Sequence, residues 1–313
     1  MGYSNLIDRT GAQSLIPEEV TREIIQAVPQ ASAVMRRARR LPNMSRKQLR
    51  MPVLSGLITA SFVNGDTGLK QTSEVSWEDV FVTAEELAVI VPIPESVLND
   101  VDYDIWGEVQ PRIIEAFGIA FDQAVLYGTN APSSWPDDIV TAATAASQAI
   151  TLGTGTDLYD DLLGESGVVA KVEEDGFMVN GHIAALSMRA KLRGLRDANG
   201  NPIFNRVTQA ATMYELDGAP IDFPLNGAII PATALQFAGD WSQLVYSIRQ
   251  DITYKLLTEA VIQDGSGNIV HNLAQQDMVA LRAVMRLGWA LPNPINQVNT
   301  NDSTRYPFAV LLP

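Results

Sequence analysis

The run from Asp277 to Trp289 (Asp-Met-Val-Ala-Leu-Arg-Ala-Val-Met-Arg-Leu-Gly-Trp) limits this chain more than any other segment. It is long, apolar and strand-like, yet it carries Arg282 and Arg286 four apart, so it reads as a shared sheet element and not as a catalytic loop. A second run of the same character, Leu244 to Tyr254, is opened by Gly239-Asp240-Trp241-Ser242. Two strands of this length need partners on both sides, and the rest of the chain must supply them.

The remainder is read as follows. Residues 1 to 16 form an arm with scattered apolar anchors, and Pro17-Glu18-Glu19 starts a short helix that Pro29 stops. Lys47 to Val63 and Val75 to Ile93 are two extended arms around a glycine-containing turn, Asn64-Gly65-Asp66-Thr67-Gly68. A two-stranded excursion of that length is marginal alone, which predicts that it lies on another subunit or on the body of its own domain. Trp106, Val109, Ile113, Phe117, Ala120, Phe121 and Ala124 recur at three and four, predicting an amphipathic helix from Tyr103 to Tyr127 that Pro111 bends or begins.

Past Gly128 the sequence turns small and polar, Ile139 to Thr154 reads as an Ala/Thr-rich connector, and a boundary is expected near 150. Residues 156 to 175 read as a helix, Phe177 to Asn180 as a short buried strand, and His182 to Arg196 as a helix ended by Asp197 to Pro202. Strands are expected at Pro220–Phe223, Ala228–Ile230 and Leu235–Ala238, a hairpin turn at Asp264 to Asn268, and a last strand at Phe308–Leu312. Alternating short strands and helices suggest a compact second unit.

Composition removes several functional classes. With no cysteine there are no disulfides, thiolate nucleophiles or zinc–sulfur sites. No apolar run reaches the roughly 18 residues of a membrane helix, and the first residues lack the pattern of a signal peptide, so the reading is of a chain neither exported nor membrane-spanning. The net charge of −14, from 22 cations against 36 acids, argues against general nucleic-acid binding. Seven cations nevertheless fall within fifteen residues: Arg36, Arg37, Arg39, Arg40, Arg46, Lys47 and Arg50. Three readings stand for them, namely a solvated face, a nucleic-acid contact, or a surface that pairs with acidic neighbours in an assembly of like subunits.

Catalytic and ligand motifs do not assemble. His182 and His271 are the two histidines, and helix capping and a strand surface suit them better than metal binding. Asp197-Ala198-Asn199-Gly200-Asn201 resembles the start of a calcium loop, but Val207 and Thr208 lie near the position that needs an acid. Gly153-Thr154-Gly155-Thr156-Asp157 lacks the lysine of a phosphate loop and reads as a linker with an N-cap. Trp106, Phe117 and Phe121 sit at helical spacing and read as core. No cofactor and no metal is expected.

Taken in order, the extended region with its glycine-rich tip, the helix of over 20 residues and the two long strand runs resemble the major capsid proteins of tailed bacteriophages of the Hong Kong 97 type, a fold shared with encapsulin shells. The resemblance implies an α+β fold with an N-terminal arm (1–45), an extended β-hairpin loop (46–92), a peripheral domain (93–154 and 269–300) with a spine helix (102–128), and an axial domain (155–268 and 301–313). It places strand 244–258 in the axial domain and 269–291 in the long peripheral sheet. It further implies a non-enzymatic subunit that forms hexamers and pentamers of an icosahedral shell around double-stranded DNA, in a virion assembled in the host cytoplasm. Implied partners are the chain itself, a portal, a separate scaffolding protein and a decoration or cement protein. The inter-subunit candidates are the seven cations above with Asn64, Gly65, Asp66, Gly68, Lys70, Arg282 and Arg286. Some members join an extended-loop lysine to a peripheral-domain asparagine with help from a glutamate. Lys70 stands for the lysine, but Asp277 and Val284 occupy the other two positions, so the expectation is a shell held without covalent links. An encapsulin-like compartment is the alternative reading, and a cytoplasmic α+β hydrolase the remaining one.

Overall fold

The computed structural model describes residues 32–62, 70, 72–96, 105–195 and 214–313. The helix expected from Pro17, the loop tip at Asn64 to Gly68 and the turn at Asp197 to Pro202 lie outside the described residues.

The run that opened the sequence reading forms strand β13 (Met278–Ala290), flanked on one side by β10 (Val245–Leu257) and on the other by β4 (Glu85–Pro94). Both pairings are antiparallel, with Arg282 opposite Lys255 of β10 and Ile90 of β4. β10 is irregular between Ile248 and Thr253, where its register shifts twice. The two-residue strand β1 (Arg39–Arg40) closes the far edge in parallel with β10. The sequence division that set 244–258 apart from 269–291 is therefore corrected: the two segments share one sheet.

Side chains of a strand alternate between faces. Leu281, Ala283, Met285 and Leu287 of β13 join Leu87, Val89 and Val91 of β4 in the main core, together with Ile113, Phe117, Phe121 and Val125 of the long helix α2 (Ile105–Tyr127). The helix is 23 residues long, as its three-and-four periodicity predicts, and Pro111 lies inside it, so Pro111 does not mark its start. Phe117 and Phe121 are core; the Trp106 side chain is outside the described set. The opposite sheet face carries Glu86, Ala88, Ile90, Thr253, Lys255 and Arg282, all exposed.

The extended region folds as two pieces. β2 (Gln48–Leu54) pairs with β3 (Trp77–Thr83) as a hairpin, whereas β4 leaves it to join the long sheet, so the expected single arm from Val75 to Ile93 is split at Ala84. Leu49, Met51, Val80 and Val82 pack on Met44, Ala84, Val245 and Ala290 of the body. Gly288 allows the crossing, since a Cβ there would stand 2.2 Å from the Thr83 carbonyl oxygen.

Edge strands expose unpaired backbone groups. On β4, Glu95 donates from its N–H to the Asp277 carbonyl. The alternate positions 94, 92 and 90 therefore turn their amides away from β13, and two of these three are proline. On β2, Ala84 N–H donates to Lys47 and Ser55 N–H to Ser76, which turns position 52 outward; it too is proline.

The second core lies around a mixed six-stranded sheet of order β5 (Ala149–Thr151), β14 (Phe308–Leu312), β9 (Gln236–Gly239), β6 (Gly181–Ala184), β8 (Ala219–Asp222), β7 (Tyr214–Leu216). Helices α4 (Leu158–Leu163), α5 (Val168–Glu174) and α6 (Leu186–Gly194) cover it with Leu162, Val168, Val172, Met188 and Leu192. Asp175, at the end of α5, accepts from the Gln148 side chain, the Tyr306 N–H and the Asn299 side chain, which fixes the return path into β14.

Several local expectations are corrected here. The connector at Ile139 to Thr154 contains helix α3 (Ile139–Ala145), N-capped by Asp138, and strand β5. Residues 156 to 175 are two helices, because Gly164 turns extended (φ −66°, ψ 171°) and caps the first, its N–H on the Asp160 carbonyl. The buried strand is Gly181–Ala184, not Phe177 to Asn180, and α6 starts at Leu186, four residues after His182. Ala228 to Ile230 is a loop whose amides are taken by side chains: Ala228 N–H by Asn226 and Ile230 N–H by the Tyr127 hydroxyl.

Candidate functional site

The basic segment is a concentration of charge that opposes the chain's net sign, and the structure divides it in two. Ser32 N-caps helix α1 (Ala33–Arg37), and the buried Asp122 carboxylate on α2 accepts from Ser32 Oγ, Ala33 N–H at 2.8 Å and Val34 N–H at 3.2 Å. Burial pushes the Asp122 carboxyl up to about 6, against the lowering effect of those three donors and of Arg36. At the other end of α1, Arg37 donates from Nε to Asp222 of β8 at 2.7 Å and from Nη2 to the Pro220 carbonyl, while Arg36 lies 3.6 Å from the same carboxylate.

Lys47 pairs with Glu85 at 3.0 Å and Arg50 with Asp79 at 3.2 Å. Four of the seven cations thus bind within their own chain. Arg39, Arg40 and Arg46 are exposed and have no ion pair among the described residues; Arg40 donates to the Asn43 side chain. Of the remaining candidates, Arg286 donates from Nε and Nη2 to one oxygen of Glu86 at 2.9 and 2.7 Å, so it too serves its own sheet. Arg282 is exposed without an ion pair among the described residues, and its cross-strand neighbour is Lys255. Like charges directly opposite oppose pairing, which marks this face as one that needs anionic company. Lys70 is exposed, and Asn64, Gly65, Asp66 and Gly68 lie outside the described residues.

The hairpin has one face on the body and one in solvent. On the outer face Trp77 is 67% exposed and Phe81 49%, and along the two arms Phe62, Ile58 and Val75 are exposed as well. Large exposed apolar side chains on the outer face of the hairpin, on either side of the Arg50–Asp79 pair, mark an interaction surface. Of the positions in the cross-linking pattern, Val284 is 8% exposed within β13, and Asp277 sits at φ 47° just before the strand.

The motifs that could have been ligand sites are used internally. The amides of Gly153 and Gly155 both donate to the Asp161 carboxylate, at 2.7 and 2.6 Å, and Asp157 caps α4, so this glycine loop already holds an anion that belongs to the chain. His182 is no helix cap: it is buried in β6 with its Nδ1 3.2 Å from the Gln236 side chain, and desolvation lowers its pKa to about 4. His271 lies on β12 (Ile269–Asn272), the partner of β11 (Val261–Gln263) across the expected turn. The apolar cleft between α2 and the long sheet is lined by Phe121, Trp135, Leu87 and Leu287, and the glutamates at its rim are engaged: Ser134 and Lys47 hold Glu85, with a lowered pKa, and Arg286 holds Glu86. Among the described residues no three His, Asp or Glu side chains converge to hold a metal, and no helix is long and apolar enough to cross a membrane.

A long sheet backed by one helix, a hairpin with exposed aromatic side chains on its outer face, and cations without ion pairs among the described residues are the features that offer themselves for contact with a partner. Residues 12–296 match the model of the phage capsid family, and the chain belongs to that family. It is 29% identical over 274 residues to the major capsid protein of Staphylococcus phage 80alpha, covering 86% of this chain and 79% of that one. A solved structure from Microbacterium phage Oxtober96 is 40% identical over 90% of this chain and 91% of its own, with a TM-score of 0.77. Another, from Mycobacterium phage Adephagia, is 33% identical over 98% of both chains, also at 0.77. The role that follows is that of a tailed-phage major capsid protein, a structural component of the virion.

Proposed function

We propose that the chain assembles with copies of itself, as hexamers and pentamers, into an icosahedral shell around the double-stranded DNA genome, held by non-covalent contacts and without catalysis of its own. The observation that carries this is the β2–β3 hairpin, which spends one apolar face on its own body and leaves Trp77 and Phe81 on the other. An exposed patch of that kind gains stability only when a partner covers it. The arm (1–45), extended loop (46–92), peripheral (93–154 and 269–300) and axial (155–268 and 301–313) assignments belong to this reading, with β10 now moved to the peripheral sheet. So do a portal, a separate scaffolding protein, a decoration or cement protein, and assembly in the host cytoplasm. The acidic body suits a DNA container, because repulsion keeps the packaged polymer from adhering to the wall. Electron microscopy of the chain expressed alone and with a scaffold, beside a Trp77→Ser/Phe81→Ser variant, tests it. Closed shells from the parent and dispersed, folded subunits from the variant are expected; normal shells from the variant would remove the hairpin from the interface.

A further inference from the structure

The geometry of α1 points to a tie between the two halves of the subunit, and we propose that this five-residue helix locks the six-stranded sheet against the long sheet and its helix. Its N-terminus is bonded to Asp122 of α2 by one hydroxyl and two backbone amides. At its C-terminal end Arg37 donates to Asp222 of β8 and to the Pro220 carbonyl at 3.3 Å, and Arg36 forms a looser ion pair with the same carboxylate at 3.6 Å. Directly beyond it, Arg39, Leu41 and Met44 donate their amides to Leu244, Tyr246 and Ile248 along β10. Thirteen residues of chain therefore bond the helix α2 and two strands, β8 and β10, that belong to different sheets.

The middle of the tie is packed as tightly as its ends are bonded. Ala33, Val34 and Met35 are buried in the core that also takes Phe121 from the helix and Phe237 and Phe308 from the six-stranded sheet. Position 181 is the fitted part: a Cβ there would stand 3.2 Å from Arg37 Nη1 and 3.1 Å from Trp241 Cδ1, so glycine lets the guanidinium pass over β6 on its way to Asp222. Trp241 in turn donates from Nε1 to the Gly181 carbonyl at 2.9 Å. A partly buried, hydrogen-bonded arginine fork is specific in direction as well as in charge, which suits a part that sets an angle. Two of the cations that sequence alone offered as contacts to a neighbour are on this view the inward end of a lock.

The chain has no cysteine, so two spin labels can be placed without ambiguity, one at Ala116→Cys on the exposed side of α2 and one at Glu215→Cys on β7. Pulsed electron spin resonance on the unassembled subunit then reads the distance between the two halves. One narrow distribution is expected in the parent, and a broadened or two-population distribution in Asp222→Asn with far-ultraviolet circular dichroism unchanged. Equal widths in the two proteins would overturn the proposal, as would a broad distribution in the parent. If Asp222→Asn does not fold, Arg37→Lys replaces it: this variant keeps the charge and loses the fork, and an unchanged narrow distribution there overturns the proposal equally.

Discussion

Asp122→Asn separates what a buried charge costs from what its hydrogen bonds contribute. The carboxylate is fully buried and its pKa is raised from 3.8 to about 6, with desolvation the leading cause. A group whose folded pKa is the higher one binds its proton more readily when folded, so it adds stability as the pH falls through 6 and stops adding below 3.8. For one such site, lowering the pH from 8 to 5 is worth about 1.4 kcal/mol to the wild-type chain. The Ala33 amide donates to one carboxylate oxygen and Val34 and Ser32 to the other, so asparagine keeps an acceptor for one side and loses the other, a cost that is the same at both pH values. Asparagine cannot ionise, so the titrating contribution vanishes, while every other titrating group is common to both proteins. Urea denaturation of unassembled subunits at pH 8 and pH 5 gives the stability difference between variant and parent at each pH. It is expected to be more favourable to the variant at pH 8 by about 1.4 kcal/mol. A difference independent of pH, or one that favours the variant more at pH 5, would refute the reasoning. Asp122→Ala, by contrast, orphans buried donors as well, and should cost about 2 to 3 kcal/mol at pH 8 and about 1.4 kcal/mol more at pH 5, where the parent has gained its proton.

Gly288→Ala sets a Cβ 2.2 Å from the backbone oxygen of Thr83, which is itself held by the Trp135 indole N–H, so neither side can yield cheaply. The loss is expected to be about 3 kcal/mol by the same denaturation, and a loss under about 0.5 kcal/mol would mean the hairpin moves freely at its root. Replacing Arg39, Arg40 and Arg46 together by Ala should leave the subunit's melting temperature unchanged and lower the shell yield, because these are the members of the basic segment without an ion pair among the described residues. Unaltered yield would remove them from the interface.

The parts legible in the sequence were those whose side chains carry a period or a continuous apolar run: α2, β10, β13 and β14 fall where the pattern puts them. What stayed hidden depends on single contacts across the chain. β6 was misplaced because Gly181 and His182 look like a break, whereas the glycine is demanded by Arg37 and the histidine is neutral and enclosed. Ala228 to Ile230 has the composition of a strand, but Asn226 and Tyr127 capture its amides first. In the candidate interface, composition located the basic segment and could not say which arginines face inward, since Asp222 lies 185 residues from Arg37. An acid beside Phe121 on the core-facing stripe of the helix was the available hint for Asp122, and nothing in the pattern named its partners.

The outward prolines at positions 52, 92 and 94 bear on how subunits can go wrong. A ribbon that grows by adding strands needs an uninterrupted row of donors along its rim, and these edges lack theirs where a stray copy would first catch hold. At those positions a second copy finds no backbone donor, so pairing strand to strand along these two edges is interrupted and contact there is left to side chains.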